Sequence, residues 1–167
     1  GITNLGSRAF CYCDNLKEVN ISSTCTSYGS MSFAYCPKLK SAVVAATSVW
    51  QVNEYSFSNY DSCTLYVPAG KVDYYKNDII FGMFSKVVGA YIVTVDAGME
   101  NGTVLIDNYA IDEGDSFTII PKPADGYVVG KVLANGNAVD DYGTGIYMVS
   151  NVTSNVLVSA EFSKVAQ

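Results

Sequence analysis

Residues 2–21 read ITNLGSRAFCYCDNLKEVNI, and residues 26–44 repeat the pattern as TSYGSMSFAYCPKLKSAVV. Several residues recur at a constant offset of 23 positions, and four pairs mark the pattern. The pairs are Gly6 and Gly29, Phe10 and Phe33, Cys13 and Cys36, and Leu16 and Leu39. A fixed period of this length is typical of solenoids, in which each repeat stacks on the one before it. The pattern therefore predicts a coil whose successive turns, or rungs, lie in register.

Each repeat contains a short strand and a turn. Val19 and Ile21 stand two residues apart, as they must to share one face of a strand, and residues 39–44 copy that strand. Successive copies are expected to pair as parallel strands. Gly6 and Gly29 favour a tight turn with unusual φ, because they have no Cβ.

An aromatic ring occupies the same position on the opposite wall of each repeat. Phe10 and Phe33 are expected to fill the space between strand layers, one ring above the other. A degraded third copy follows in residues 55–68, with Phe57 in the ring position and Cys63 in the leucine position. Residues 69–78 indicate a short helix, and the apolar residues 79–88 are expected to cap the open end, which repeat stacks require.

The pattern changes after residue 89. Alternating segments near residues 91–95, 103–106, 116–120, 127–133, 146–149 and 156–162 predict antiparallel strands. Asp125-Gly126 and Asn135-Gly136 are hairpin signals. The charge shifts as well: residues 1–89 carry seven Lys/Arg and six Asp/Glu, whereas residues 90–167 carry three and ten. We expect two domains, 1–89 and 90–167, the second being a small antiparallel β module of the β-grasp-like or sandwich type.

Composition excludes several classes of function. The net charge is −6, and nucleic-acid and anionic-membrane binding need a basic surface. The chain has no histidine, which removes His-based triads and His metal ligands. The carboxylates of residues 112–115 and 140–141 are read as solvated turn residues, since they lack the alternating spacing of a calcium loop. We expect no catalytic residue, no metal and no cofactor, and no apolar run reaches the length of a membrane span.

The five cysteines all precede residue 64, and their odd number leaves at least one thiol unpaired. Cys13 and Cys36 share a repeat position. We therefore interpret the repeat cysteines as small buried hydrophobic residues rather than as members of a disulfide framework.

The repeat residues resemble a known family. The motif of residues 2–21, its copy in 26–44 and the closing TLYVPAG of residues 64–70 are similar to BspA-like leucine-rich repeats, a resemblance that covers residues 2–88. It implies a secreted or cell-surface protein whose relatives, from gut and oral bacteria and some protists, adhere to host matrix, host cells or other bacteria. Because the chain starts inside the first repeat, we expect a signal peptide or lipid anchor to lie upstream. The chain departs from the family in having few repeats and in placing Ile80-Phe81 where a Trp is usual.

The second half has a resemblance of its own. The ordered set Tyr91-x-Val93-x-Val95, Glu113-Gly114-Asp115, Asp125-Gly126-Tyr127 and Val158-x-Ala160-x-Phe162 is similar to divergent internalin-B-type B repeats over residues 91–163. Such modules are typically spacers or stalks on bacterial surface proteins.

One pair of residues is a candidate binding site. Tyr12 and Tyr35 share a position beside the repeat cysteine, so stacked repeats place their rings one strand spacing apart. Aligned aromatic rings make contacts with sugars or proteins. The alternative is a surface ladder that merely shields the cysteine layer. Trp50, the only tryptophan, is expected to pack rather than to recognise a ligand.

The sequence as a whole predicts a mainly β protein with short helices: a leucine-rich-repeat solenoid of two and a half repeats plus a cap, followed by the small β module. The expected function is non-enzymatic adhesion to a host or bacterial surface protein or glycan. The alternatives are a structural stalk or cap of a larger surface protein, and an accessory carbohydrate-binding module.

Overall fold

The computed structural model describes residues 2–49 and 51–166, so Trp50 lies outside the described residues. The chain divides into two compact units, residues 1–90 and residues 91–167, which are described separately below. The strand Lys86–Val95 runs from one unit into the other, and each part is described with its own unit.

The first unit is a parallel β coil, as the repeat predicts. Its strands are β1 (Asn4–Leu5), β2 (Glu18–Ile21), β3 (Ser27–Tyr28), β4 (Ser41–Val44), β5 (Gln51–Val52), β6 (Thr64–Pro68) and the first part of β7 (Lys86–Val95). β2, β4, β6 and residues 86–90 of β7 pair in parallel, in that order. β1, β3 and β5 form a second parallel ladder. In the register Val19 lies beside Ala42, and Ala42 beside Leu65.

The three phenylalanine rings stack on the other wall of the coil. The ring centroids of Phe10 and Phe33 are 5.3 Å apart, and those of Phe33 and Phe57 are 5.1 Å apart. Phe33 and Phe57 are buried. Phe10 is not, contrary to the expectation that each ring fills the space between layers: 41% of it is exposed, because Phe33 covers only one of its faces.

The repeat glycines have a different role from the one expected. Gly6 and Gly29 are absent from the residues with positive φ, so neither supplies the unusual φ of a turn. Gly29 is needed for close approach instead: a Cβ there would lie 2.5 Å from the backbone nitrogen of Ser7 and 2.9 Å from the carbonyl oxygen of Leu5. The same atom on Gly6 would meet nothing within 4 Å.

The end of the coil is closed by helical turns and by one more strand. A 3-10 helix (Ala69–Lys71) leads into α1 (Val72–Lys76), as the sequence predicts. The Tyr75 hydroxyl of α1 is buried and donates a hydrogen bond to the carbonyl oxygen of Ala46 at 2.8 Å. The capping segment forms a 3-10 helix (Phe81–Met83) and then extends the parallel ladder as β7, while Ile79 at its start stays exposed.

The second unit consists of two sheets around one core. Its strands are residues 91–95 of β7, β8 (Gly102–Ile106), β9 (Ala110–Ile111), β10 (Phe117–Pro123), β11 (Tyr127–Ala134), β12 (Asn137–Ala138), β13 (Tyr147–Val149) and β14 (Val156–Lys164). One sheet has the order β13-β10-β8; the other joins β12, β11, β14 and β7, with β9 on β7. Phe117, Ile119, Val132 and Val158 are among the buried residues of the core. Two sheets with no helix among residues 91–166 fit the sandwich rather than the β-grasp alternative.

Two expectations for this unit are wrong. The sheet is not wholly antiparallel, because β14 pairs with β7 in parallel. Asp125-Gly126 does not form a hairpin, because β10 and β11 belong to different sheets and the turn connects them. Asn135-Gly136 does join a hairpin, β11 with β12, and both residues have the positive φ of a type I′ turn, 51° and 79°.

Candidate functional site

The turn that carries Tyr12 and Tyr35 has the same backbone in both repeats. Tyr12 and Tyr35 lie in the left-handed region, with φ of 59° and 57°, and so do Arg8 and Met31 four residues earlier, with φ of 59° and 60°. This conformation costs most residues free energy, so the surrounding coil must impose it. The Tyr12 amide donates to the carbonyl oxygen of Ala34 in the next rung at 3.0 Å, which fixes the register of the two turns.

The two tyrosine rings form a parallel stack on the surface. Their centroids are 4.8 Å apart and their planes differ by 7°. Tyr12 is 68% exposed and Tyr35 is 51% exposed, so neither ring belongs to the core. The structure thus brings the two sequence-predicted residues together at one rung spacing. Their role in binding stays a prediction.

The third rung ends this ladder with polar groups. The Tyr35 amide donates to the Ser58 hydroxyl oxygen at 2.8 Å, and the amide nitrogen of the Asn59 side chain donates to the carbonyl oxygen of Cys36 at 2.7 Å. These contacts satisfy backbone hydrogen-bonding groups of the second rung. The third rung thus has polar side chains at the position where a third tyrosine would extend the aromatic stack. The stack is therefore two rings long.

A polar contact also joins the first and second rungs, which carry the two tyrosines. The Lys38 ammonium donates to the side-chain oxygen of Asn15 at 2.8 Å, across 23 positions of sequence. The first and second rungs therefore share both an aromatic pair and a polar pair. Tyrosine adds a hydroxyl that donates and accepts hydrogen bonds to an otherwise apolar ring, a combination suited to sugars and to protein surfaces.

Three cysteines adjoin the tyrosines in sequence, and of these Cys36 is buried whereas Cys11 and Cys13 are partly exposed. All five cysteines are free thiols, and Cys25, Cys36 and Cys63 are buried. The Cys36 sulfur lies 3.1 Å from the carbonyl oxygen of Phe10. Burial raises the pKa of the Cys36 thiol, an effect that outweighs the lowering by the backbone N–H of Cys13. A thiol held in its protonated form is a poor nucleophile.

Two carboxylates of the second unit, those of Asp141 and Asp107, accept hydrogen bonds from the protein itself. Asp141 accepts backbone hydrogen bonds from Gly143, Thr144 and Gly145, at 2.8, 3.2 and 3.0 Å. Asp107 accepts from the backbone and hydroxyl of Thr118, both at 2.8 Å. Within the part of the chain that the structure describes, no three His, Cys, Asp or Glu side chains are grouped to hold a metal ion. The described helices include none that is long and apolar enough to cross a membrane.

Comparison with known proteins identifies the first unit. The family model described as the BspA-type leucine-rich-repeat region (6 copies) matches residues 1–86. No curated protein matches the chain, and no solved structure matches it. The resemblance of residues 91–163 to B repeats gains no support from these comparisons.

Proposed function

The chain belongs to the BspA-type leucine-rich-repeat family, and we propose that it is a non-enzymatic binding protein of the bacterial surface or its surroundings. Families of this type are typically surface-associated and related to adhesion. The proposed partners are a host matrix protein, a host cell or another bacterium, recognised through a surface protein or a glycan. A signal peptide or lipid anchor encoded upstream would deliver the chain to that compartment.

The exposed stack of Tyr12 and Tyr35 is the observation that carries this proposal. A large apolar surface in water costs free energy, and this one recurs at the same position of two successive rungs. Tyrosine is enriched among the residues that dominate binding interfaces. Because the backbone already fixes both rings at 4.8 Å, little conformational entropy is lost when a ligand packs on them.

The charge of the chain limits the class of partner. With a net charge of −6, long-range attraction to phosphate-rich partners is absent. The stack itself consists of uncharged rings. These properties support a partner with an apolar or sugar surface, and they oppose nucleic acid and anionic lipid.

The second unit is proposed to act as a spacer. The carboxylates of Asp141 and Asp107 accept hydrogen bonds from the unit's own backbone, which leaves these two less capacity for a ligand. A role as a B-repeat-like stalk fits this arrangement. In that case the first unit binds and the second holds it at a distance from the surface.

A binding screen with two matched double variants tests the proposal. The purified chain is applied to arrays of matrix proteins and glycans, beside Tyr12→Asn/Tyr35→Asn and Arg8→Asn/Met31→Asn. Asn tolerates the left-handed φ at all four positions, so each variant keeps the backbone while only the first removes the rings.

We expect the tyrosine variant to lose the signal and the control to keep it. An equal signal from both variants overturns the assignment to the stack. Signal on glycans alone identifies the carbohydrate-binding alternative, and no signal on either array leaves the stalk or cap as the better account.

A further inference from the structure

Cys13 and Cys36 occupy equivalent positions in adjacent rungs. They are separated by 23 residues, the same offset that relates Ile21 to its strand partner Val44. Their local structure matches: the carbonyl oxygen of Cys13 accepts from the Leu16 amide at 3.1 Å, and that of Cys36 from the Leu39 amide at 3.0 Å. The two cysteines are thus stacked in one column of the coil.

The spacing of the column suits a covalent bond between sulfurs. Neighbouring strands lie about 4.8 Å apart, which is inside the range of roughly 4.4–6.8 Å between the Cα atoms of disulfides. The Cys36 side chain turns toward the first rung, with its sulfur 3.1 Å from the carbonyl oxygen of Phe10. The backbone N–H of Cys13 is close enough to lower the pKa of the Cys36 thiol, although the effect of burial is larger. The sulfur of Cys36 therefore already faces the segment that contains Cys13.

The other three thiols are placed less favourably. In the repeat alignment Cys11 stands opposite Ala34, so it has no cysteine partner in its own column. Cys25 and Cys63 are buried in other parts of the coil, where their sulfurs lie 3.8 Å from the carbonyl oxygens of Ser27 and Thr64.

We propose that Cys13 and Cys36 form a cross-rung disulfide when the folded protein meets a small disulfide oxidant such as oxidised glutathione. The partly exposed Cys13 thiolate attacks the oxidant, forms a mixed disulfide and releases one reduced glutathione. Cys36 then loses its proton to solvent, a step that its burial makes slow, and its thiolate attacks the Cys13 sulfur and releases the second reduced glutathione. Two protein thiols are oxidised to one disulfide, and one glutathione disulfide is reduced to two thiols.

This bond joins the rung that carries Tyr12 to the rung that carries Tyr35. It tethers the first rung to the rest of the coil at a position one residue from each tyrosine. Its value for ligand binding rests on the proposed function, and its persistence in a cell rests on an oxidising location. The chemistry of the pair depends on neither.

Oxidation followed by peptide mapping tests the inference. The native chain is incubated with oxidised glutathione, the remaining thiols are blocked, and the digest is analysed by mass spectrometry without reduction. We expect a linked peptide pair containing Cys13 and Cys36, a loss of two titratable thiols, and no such preference when the chain is oxidised in denaturant.

Three single variants make the assignment specific. Cys13→Ser and Cys36→Ser are expected to abolish the link, whereas Cys11→Ser keeps it. Cys36 is fully buried, whereas Cys13 is only partly buried, so Cys13→Ser carries the test if Cys36→Ser fails to fold. A folded native chain that keeps all five thiols, or a link that survives in Cys13→Ser and disappears in Cys11→Ser, overturns the proposal.

Discussion

Phe33 and Phe57 stack with centroids 5.1 Å apart and form a parallel bridge, although 24 positions separate them rather than 23. The strands that follow return to the shorter offset, since Ser41 pairs with Thr64. The third repeat therefore gains one residue before its ring and loses one after it. Packing of the ring column, rather than a uniform repeat length, sets the alignment of the rungs.

The first prediction concerns the middle ring of that column. Phe33→Ala should lower the free energy of unfolding of the first unit by about 3–5 kcal/mol, because Phe33 is 2% exposed and has a ring on each face. Phe10→Ala should cost clearly less, since only one face of its ring is covered. Urea unfolding of both variants measures the difference. Equal losses would show that the column does not carry the packing energy assigned to it.

The second prediction compares two equivalent glycines. Gly29→Ala should destabilise the protein by more than about 1 kcal/mol, because its Cβ would lie 2.5 Å from the Ser7 nitrogen, and backbone atoms cannot easily move. Gly6→Ala should change stability by less than about 0.5 kcal/mol, since the added atom meets nothing within 4 Å. Thermal melting of the pair checks this, and the same shift in both would contradict the close approach of the rungs at Gly29.

The third prediction is a pH dependence. Burial raises the pKa of Cys63 from its ordinary value of 9.0 to about 11, with a smaller opposing effect from Lys40. Below pH 9.0 both folded and unfolded chains keep this proton. Between pH 9.0 and about 11 the unfolded chain releases it and the folded chain does not, so stability falls as the pH rises.

A Cys63→Ala variant isolates that contribution. Two pKa units correspond to roughly 3 kcal/mol, so the native chain should lose up to that much more stability than the variant across the interval. Burial also raises the pKa values of the Tyr28 and Tyr75 hydroxyls. Both residues are present in the native chain and in the variant, so they change the stability of both proteins with pH in the same way. Denaturant unfolding at several pH values measures the difference. Parallel curves for the two proteins would exclude Cys63 as the source.

The sequence predicts the coil well because its determinants are periodic. The recurrence of Phe10 as Phe33 and of Cys13 as Cys36 specifies both the ring column and the strand register, without knowledge of any loop. The stacking of Tyr12 on Tyr35 follows from the same periodicity. The strands of the second unit could likewise be placed from alternation and turn residues.

Two features depend on contacts between segments that lie far apart in the sequence. The left-handed φ of Tyr12 and Tyr35 runs against the preference of tyrosine and arises from hydrogen bonds to the next rung. Residue preference alone favours the glycines for that conformation. The parallel pairing of β14 with β7 joins segments more than 60 residues apart, whereas hairpin signals describe only neighbours. Local patterns cannot specify such pairings.

The most direct test of the central claim, that Tyr12 and Tyr35 form one binding surface, is a double-mutant cycle. Affinity for a ligand found in the array screen is measured for the native chain, Tyr12→Asn, Tyr35→Asn and the double variant, with melting temperatures recorded for each. We expect each single change to weaken binding, the double change to abolish it, and the melting temperature to stay nearly constant. Unchanged affinity in a folded double variant would contradict the claim.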